Sequence, residues 1–553
     1  MAIGSTPGGS GHVVPDDPDH PLVVPEDTVA MARMEDARFR EVGTKVGELL
    51  ARVNDIAVAS GVASGSPDDG KVAAFVRDAD SRTRGALTEL VGALLEAAIA
   101  PVRDYGPVHV SRFGAKGDGA ADDTAALVAA GASGREVHFS TGAVYNFRGP
   151  VTISEGTRWV TNGARLYCTT PRNNHNIVLQ SDTFVDVLDA SFAGGNDDRG
   201  VLVEGSHVEV GRMRLVARTA STARNYRRRG LVIGAEGVGC QHVRLGDVRV
   251  EGFLDSVGSW NGTDVTVDRL TMRGHVQGLY LANPTRWTVR AGSADKINLG
   301  VASGGPGENS VLVETDGRVA AGEVSVADFH SRESGEHGFR VGGQSPITGI
   351  TFDNCKAIDS GSINQNCCGF LIQMAQHVTL INPEVRKLNK DYSAVEGIRV
   401  SGVKHLTISR ANVMDTYKYG IRVDETCGDV SNVHIDGRVH TTSGQGVWLQ
   451  NPGVVFRNFN LDVFVENTTV GGSAFYAGRG TAPQDSGAWA GINKLRLTIS
   501  ESTPAETAIN TNSSAAALGA FFAEVTGRRG GDPAFRGGST WMDTRLNTFQ
   551  VRR

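Results

Sequence analysis

Acidic side chains recur in the turns that lead into a set of short strands beginning with glycine. They are Asp197, Asp198, Glu336 and Glu396. Glycoside hydrolysis uses two carboxyl groups, about 5 Å apart for retention of the anomeric configuration and about 6.5–9.5 Å apart for inversion. Turns stacked at the ~4.8 Å spacing of β-strands supply either separation. These four acids are therefore candidate catalytic residues, with ordinary structural turn acids as the alternative.

A second set of residues lies at the third position of a repeated Gly-apolar-x-apolar pattern. In such a strand the two apolar side chains point inward and x points outward. The outward row contains Leu202, Val232, Tyr280, Leu312, Arg340, Leu371, Arg399, Arg422 and Trp448, and Trp260 joins it if Gly258 begins its repeat. An exposed apolar row of this kind marks a contact surface.

Two alternatives for the outward row stay open, a trimer interface and a sugar-binding groove. In the groove alternative, Trp260, Tyr280 and Trp448 are candidates to stack on pyranose rings. Arg340, Arg399 and Arg422 are the matching candidates for acidic sugars, because guanidinium groups bind carboxylates in a bidentate manner. The glycan-binding candidates are therefore Trp260, Tyr280, Arg340, Arg399, Arg422 and Trp448.

A polar residue precedes the second strand of successive repeats. The set comprises His207, His242, Asp264, His377, His405 and Asn432. We interpret it as a ladder at one corner of the fold, in which each side chain bonds backbone groups of the turn. The histidines alone do not indicate a metal site, and we expect neither a metal nor another cofactor.

The repeat itself predicts the fold. A period of roughly 20 to 30 residues runs from about residue 135 to residue 500. Each repeat contains three short strands, as in Gly230-Leu-Val-Ile, His242-Val-Arg-Leu and Val248-Arg-Val. This pattern predicts an all-β fold, a right-handed three-sided parallel β-helix (a solenoid) of ~15 coils and ~70 Å. One coil cannot bury its own apolar face, so the stack must form the core.

The segment from Val110 to Leu127 reads VSRFGAKGDGAADDTAAL. It resembles the N-terminal motif of the pectate-lyase-like right-handed β-helix superfamily, which many phage tailspike and tail-fibre proteins and glycan-active enzymes carry. We expect Asp122 or Asp123 to cap a short helix from about Thr124 to Ala130, within a capping region near 122–130, that covers the first coil. Asp118, Asp122 and Asp123 are therefore predicted to be structural.

The chain divides into five predicted parts. Residues 1–25 form an extended virion-attachment arm, 26–60 a coiled-coil helix, and 61–107 a linker and helical neck. The β-helix spans 108–500, and 501–553 form a C-terminal cap or trimerisation segment. Within the coiled-coil helix, apolar residues alternate at spacings of three and four: Phe39, Val42, Val46, Leu49, Val53 and Ile56. That seam favours self-association as a homotrimer.

Composition excludes several function classes. The 553 residues carry a net charge of −6, with 55 Lys and Arg against 61 Asp and Glu, so electrostatics favours neither nucleic acid nor membrane insertion. The 70 glycines are in keeping with many turns between short strands. The 6 cysteines are irregularly spaced, so we expect reduced core residues rather than a disulfide framework or a zinc site.

The N-terminus has neither a basic region nor an apolar stretch of the kind that forms a signal peptide. A virion component, released by lysis, needs none. Together with the resemblance, this favours a phage tailspike or minor tail protein for host adsorption. It would attach to other tail or baseplate proteins through its arm, and would bind and, if catalytic, depolymerise a host surface polysaccharide. Alternatives are a free-standing bacterial polysaccharide lyase or glycoside hydrolase, and a non-catalytic structural tail component.

Overall fold

The computed structural model describes the chain from residue 106 onward, with gaps. The described residues are 106–170, 174–193, 199–219, 229–235, 239–274, 276–295, 308–361, 367–388, 395–416, 419–424, 426–441, 444–450, 456–467, 473–477, 489–499, 507–511, 518–526, 535–536 and 549–552. The predicted arm, the coiled-coil helix with its heptad seam, and the neck up to residue 105 lie outside them. Among the described residues, no helix is long and apolar enough to cross a membrane.

The strands stack into three parallel ladders. We call them faces 1, 2 and 3 in the order in which each coil visits them, counted from its glycine position. For example, Leu202 on face 1 pairs with Val232 of the next coil, Val210 on face 2 with Leu245, and Leu215 on face 3 with Val250. Every pairing in these ladders is parallel. The predicted right-handed three-sided β-helix is confirmed.

Face 1 contains the strands that begin with the glycine pattern. Its strands are Val151–Ile153, His175–Leu179, Arg199–Val203, Arg229–Ile233, Asp255–Trp260, Gln277–Ala282, Val311–Thr315, Phe339–Gly343, the first parts of Cys367–Ile381 and Val395–Thr416, Ile421–Asp424, Val447–Leu449, Ser473–Ala477, Thr507–Thr511 and Phe535–Arg536. The ladder thus continues beyond residue 500.

Faces 2 and 3 are often formed by one bent strand. Face 2 alone contains Val108–His109, Glu136–His138, Arg158–Val160, Thr285–Val289, Gly322–Ala327 and Ile347–Asp353. Face 3 alone contains Asp118–Asp122, Val144–Phe147, Arg165–Cys168, Gly292–Asp295, Phe329–Arg332, Lys356–Ile358 and Glu384–Arg386. Both faces share Phe184–Phe192, Val208–Ala217, Gln241–Glu251, Thr263–Arg273, Val430–Thr441, Phe456–Asn467, Trp489–Ile499, Leu518–Thr526 and Phe549–Arg552.

The first coil is preceded by a 3-10 helix, Val110–Phe113, and by the α-helix Thr124–Gly131. Asp122 accepts a hydrogen bond from the first backbone N–H of the α-helix at 3.2 Å, as a capping residue does. Asp123 makes no capping bond and instead accepts bonds from two backbone N–H groups of the preceding loop, at 2.7 and 3.2 Å. Asp118 likewise bonds two backbone N–H groups. All three carboxylates therefore organise backbone.

The corner before face 2 has a left-handed backbone in coil after coil. The predicted corner residues His207, His242, Asp264, His377, His405 and Asn432 all have φ between 52° and 59°. Their side chains contact one another from coil to coil rather than bonding the turn backbone as predicted. His207 stacks on His242 with ring centroids 5.0 Å apart, and His377 stacks on His405 at 4.6 Å. The corner is thus a ladder of short polar and imidazole side chains.

The core is a continuous column of aliphatic and aromatic side chains inside the three faces. Its largest fully buried members include Trp159, Trp287 and Phe339. All six cysteines are free: Cys168, Cys240, Cys355, Cys367 and Cys368 are buried, and Cys427 is partly exposed.

Candidate functional site

The outward row of face 1 forms one ladder, as its pattern predicts. Leu312 pairs with Arg340, Arg399 with Arg422, and Arg422 with Trp448. Trp260 does not belong to the outward row, because Gly258 does not begin its repeat. Gly258 pairs with Tyr280 and so occupies the row itself, while Trp260 lies two residues further on. A Cβ atom at Gly258 would lie 2.6 Å from the Trp260 ring, because the indole folds back over this glycine.

Most apolar members of the outward row are covered within the chain. Val232, Leu312, Leu371 and Trp448 are all buried, the last with 8% of its surface exposed, whereas Leu202 is half-exposed. The row is therefore not the continuous exposed apolar stripe on which the trimer-interface alternative rested. Apart from Leu202, its half-exposed members are polar or amphipathic, so face 1 presents guanidinium, hydroxyl and ring edges to its surroundings.

A second line of polar residues runs beside the outward row. We call it the polar column. It consists of the residue directly before the position that Gly200 and Gly230 occupy, taken from successive coils: His175, Arg199, Arg229, Asp255, Gln277, Asn309, His337, Cys368, Glu396, Tyr419 and Gln445. Strict alternation would turn these side chains inward. The chain bends after them instead, since two consecutive residues, such as Gly200 and Val201, are both buried.

Glycine at this bend is required by a close approach between coils. A Cβ atom at Gly200 would lie 2.2 Å from the carbonyl oxygen of Gly230, and one at Gly397 would lie 2.3 Å from that of Gly420. The bend therefore brings the preceding polar side chain to the outer side of face 1. Contacts across face 1 agree with this, because Glu396 of the polar column pairs with Arg422 of the outward row at 2.7 Å.

The N-terminal part of face 1 is built around a buried aspartate. We call it the aspartate section and define it as Arg229, Asp255, Trp260, Gln277, Tyr280 and Asn309. The Arg229 guanidinium lies 4.3 Å above the Trp260 ring, with its Nε 3.5 Å from Asp255 Oδ2. Trp260 contacts Tyr280 edge to face at 5.4 Å, and the Tyr280 hydroxyl donates to Glu314.

Burial dominates the electrostatics of this section. It raises the pKa of Asp255 from 3.8 to about 7, although Arg229 opposes the shift. Burial and the bond to Glu314 also raise the pKa of Tyr280, which stays protonated. At the same end of face 1, burial and the charges of two arginines lower the pKa of His175 to about 4, so this imidazole is neutral.

Besides the Arg229 Nε, three buried polar atoms of the aspartate section have no hydrogen-bond partner within the described part of the protein. They are Asp255 Oδ1, Gln277 Nε2 and Asn309 Nδ2, on three successive coils. Only 9%, 5% and 0% of these residues' surfaces are exposed. A buried polar atom left unpaired costs about 1–3 kcal/mol, so a ligand that paired these three atoms would gain from each of them.

The middle of face 1 combines thiols, a neutral imidazole and acids. The His337 Nδ1 accepts the backbone N–H of Cys368 at 3.0 Å, and burial lowers the pKa of His337 to about 3. Burial, with Glu336 and Glu308 nearby, raises the pKa of Cys367, and that of Cys368 is raised as well. These thiols are therefore protonated and poor nucleophiles.

The C-terminal part of face 1 is a closed ionic network. We call it the arginine section and define it as Glu396, Arg399, Tyr419, Arg422, Asp424, Trp448 and Gln450. Arg422 donates to Glu396 at 2.7 Å and to Gln450 at 2.6 Å, and its Nε lies 3.3 Å from Asp424. Its Cζ lies 4.7 Å from the Trp448 ring centroid.

Asp424 is shared between two arginines. Arg399 donates a hydrogen bond to Asp424 at 2.6 Å, and the Asp424 side chain is 1% exposed. Burial disfavours its ionised form, but Arg399 and hydrogen bonds from Thr426 and Ser401 outweigh burial and lower the pKa of Asp424. The carboxylate is therefore ionised and compensated, as a buried charge must be.

The four predicted acids have different fates in the structure. Asp197 and Asp198 lie outside the described residues. Glu336 directly precedes the polar column, and Glu396 belongs to the column two coils later, so their backbones lie about 10 Å apart. Glu396 is held by Arg422. Sequence reasoning missed Asp255, Gln277 and Asn309. A polar residue before the glycine was visible as a signal for Gln277 alone, because serine replaces the glycine after Asp255 and Asn309.

Among the described residues, no group of three His, Cys, Asp or Glu side chains has an arrangement that could hold a metal ion. The stacked corner histidines contact each other through their ring faces.

Fold and site together define a parallel β-helix with a polar, aromatic and partly unsatisfied face. No family model and no curated protein matches the sequence. Solved structures similar to it include a pre-mature bacteriophage phi29 gene product 12 (12% identity, 80% of this chain and 70% of that chain, TM-score 0.48). Others are a Streptomyces thermodiastaticus α-1,3-glucanase catalytic unit (15%, 79% and 70%, 0.40) and bacteriophage CBA120 tailspike protein 3 (12%, 82% and 62%, 0.38). The β-helix fold follows from the strand pairing of this chain, and these similarities assign neither a family nor an activity.

Proposed function

We propose that this chain is a tailspike or tail-tip adsorption protein of a bacterial virus, and that face 1 binds a polysaccharide of the host surface. The observation that carries the proposal is the line of buried, unpartnered polar atoms in the aspartate section, next to Trp260 and Tyr280. Rigid polar groups beside aromatic rings are the usual composition of a ligand site. A β-helix repeats this arrangement along its length, which suits a polymeric ligand.

The remaining parts of the proposal concern assembly. The heptad seam of residues 26–60 would form a homotrimer, and the arm of residues 1–25 would attach to other tail or baseplate proteins in the virion. The two alternatives differ from this proposal in what they require. A free-standing bacterial polysaccharide lyase or glycoside hydrolase needs no attachment arm. A non-catalytic structural tail component needs no glycan contact.

Depolymerisation is a second candidate activity, favoured by one observation. The carboxyl group of Asp255 is buried and keeps its proton up to a pKa of about 7, as a general acid requires. Glu336 and Glu396 remain candidates for the second carboxyl group. We expect Asp255→Asn or Glu396→Gln to lower the release of oligosaccharides ~100-fold if either residue transfers a proton. Unchanged release by both variants would remove them from the mechanism.

The binding proposal is tested with labelled protein and cells of a bacterium that the parent virus infects. We expect saturable binding to the cells, competition by polysaccharide extracted from them, and a loss of about 10-fold in affinity in Trp260→Ala. Tyr167→Ala is the matched control. Its ring on face 3 is covered by Arg218 at 4.1 Å, as the Trp260 ring is covered by Arg229 at 4.3 Å.

The control separates a role of face 1 from a general effect of losing an aromatic side chain. Equal binding by wild type and Trp260→Ala, or an equal loss in both variants, would contradict the proposal. Full competition by the extracted polysaccharide and loss only in Trp260→Ala would support it.

A further inference from the structure

The chemistry of the unpartnered atoms defines what the aspartate section binds, a step that rests on the proposed function. Asp255 Oδ1 is an acceptor when ionised, whereas Gln277 Nε2 and Asn309 Nδ2 are donors. The Asn309 side-chain oxygen is already used, since it accepts the backbone N–H of His337 at 3.3 Å. A ligand must therefore accept from two amides and donate to one carboxylate along one line.

A hydroxyl group meets this requirement, because it donates one hydrogen bond and accepts two. A sugar carboxylate or sulfate only accepts, so it would leave Asp255 Oδ1 unpaired and would place like charges together in a buried region. This selection holds while Asp255 is ionised, above its pKa of about 7, because a protonated carboxyl group would donate to a sugar carboxylate as readily as to a hydroxyl. Successive coils, spaced ~4.8 Å, present one such group each to a chain of hydroxyls.

Three arginines of face 1 are paired with carboxylates of the protein. Arg229 lies against Asp255 at 3.5 Å, Arg399 donates to Asp424, and Arg422 contacts Glu396 and Asp424. Their charges are therefore not free to favour an acidic sugar, which differs from the expectation, drawn from the pattern alone, that Arg399 and Arg422 bind acidic sugars. Arg340, one coil beyond Asn309, is half-exposed and has no ion pair with a carboxylate among the described residues, so that expectation stays a prediction for Arg340 alone.

We infer that Asp255, Gln277 and Asn309 form a subsite for an uncharged, hydroxyl-rich saccharide, and that they select it against uronic acids and sulfated sugars. Trp260 and Tyr280 flank the subsite and supply apolar ring surface for the C–H groups of the sugar. The specificity comes from burial, since an unmatched polar group of the protein is costly only where water cannot replace the ligand.

The test is affinity electrophoresis of the full chain at about pH 8.5, where Asp255 with its pKa of about 7 is ionised, through gels that contain one polymer each. Dextran, pullulan and galactomannan serve as neutral probes, and polygalacturonate and alginate as acidic probes. We expect retardation by at least one neutral polymer and by neither acidic one. Gln277→Ala should weaken the neutral interaction about 10-fold, because a buried amide that donates to the sugar is lost.

Gln376→Ala is the matched control, a half-buried glutamine on face 2. Asn309→Ala is the second variant if Gln277→Ala fails to fold. Retardation by acidic polymers alone, by no neutral polymer, or equally in Gln277→Ala and Gln376→Ala would overturn the inference. If Gln277→Ala abolished binding of an acidic polymer, the proposed binding by face 1 would stand and only the selection of neutral sugars would fail.

Discussion

The aspartate section and the arginine section lie on the same face and derive from the same repeated pattern, yet they treat their polar groups in opposite ways. In the arginine section, Arg422 contacts Glu396, Asp424 and Gln450, so one side chain satisfies several others. In the aspartate section, Asp255 and Gln277 each keep a buried atom without a partner in the described protein. The arginine section pairs its charges within the chain, whereas the aspartate section leaves a carboxylate oxygen and two amide nitrogens unpaired.

The difference shows that residue type alone does not mark a binding residue on a β-helix. Arginine and tryptophan occur in both sections. Trp448 is buried against Tyr419, with ring centroids 4.5 Å apart, and under Arg422, whereas Trp260 stays partly exposed beside open polar atoms. We therefore assign a structural role to the arginine section and a ligand-binding role to the aspartate section, and each assignment makes a measurable prediction.

The largest expected effect is on stability, from Asp424→Asn. Removing this buried charge leaves Arg399 and Arg422 without their shared carboxylate, and breaking a buried ion pair costs about 3–5 kcal/mol. We expect a clearly lower midpoint of thermal unfolding. Asp462→Asn is the control, because its pair with Arg496 at 3.0 Å is exposed and exposed pairs contribute about 0–1 kcal/mol. Equal midpoints for Asp424→Asn and wild type would show that the network is not structural.

The fold of this chain could be predicted largely from its sequence, because the coils repeat a simple pattern. Glycine recurs at the start of most face 1 strands because coils approach each other closely there, as at Gly200. The corner residues recur because a left-handed backbone favours His, Asn and Asp. Repetition of this kind arises from steric constraints that act on every coil.

The site was less predictable, because it depends on departures from the repeat. Ser256 replaces the expected glycine in one coil, which hid Asp255 and shifted the expected register of Trp260 by two residues. Whether Arg399 is free or paired depends on Asp424, which lies in the next coil, 25 residues later. Only the three-dimensional contacts reveal that pairing.

The second prediction concerns how stability changes with pH through Asp255. Its pKa is higher in the folded chain, about 7, than its ordinary value of 3.8, so the folded state holds a proton between these values. The stabilisation is fully present below about pH 4 and is lost as pH rises through 7, by up to about 4 kcal/mol. Asp255→Asn lacks this loss. The variant should therefore become more stable relative to wild type as pH rises from 5 to 8.

The comparison with the variant is needed because two histidines act in the opposite direction. The folded-state pKa of His337 and that of His175 are lowered, so their contributions are lost as pH falls below about 6.5. Both residues are present in wild type and in Asp255→Asn, and their effects cancel in the difference. A difference in unfolding midpoint that stays constant from pH 5 to pH 8 would contradict the buried, protonated state of Asp255.

The smallest expected effect compares one glutamine from each section. The Gln450 side-chain oxygen accepts a hydrogen bond from Arg422 at 2.6 Å, and a bond to a charged group contributes about 1.5–3 kcal/mol. The Gln277 Nε2 has no partner in the described protein, so its removal gives up no such bond and relieves an unpaired donor. We expect Gln450→Ala to lower the free energy of unfolding by about 1.5–3 kcal/mol and Gln277→Ala to lower it by less. Denaturant titration of both variants at pH 7 measures the two values. A larger loss in Gln277→Ala than in Gln450→Ala would reverse the assignment of the open and closed sections, because it would show that Gln277 is held within the protein.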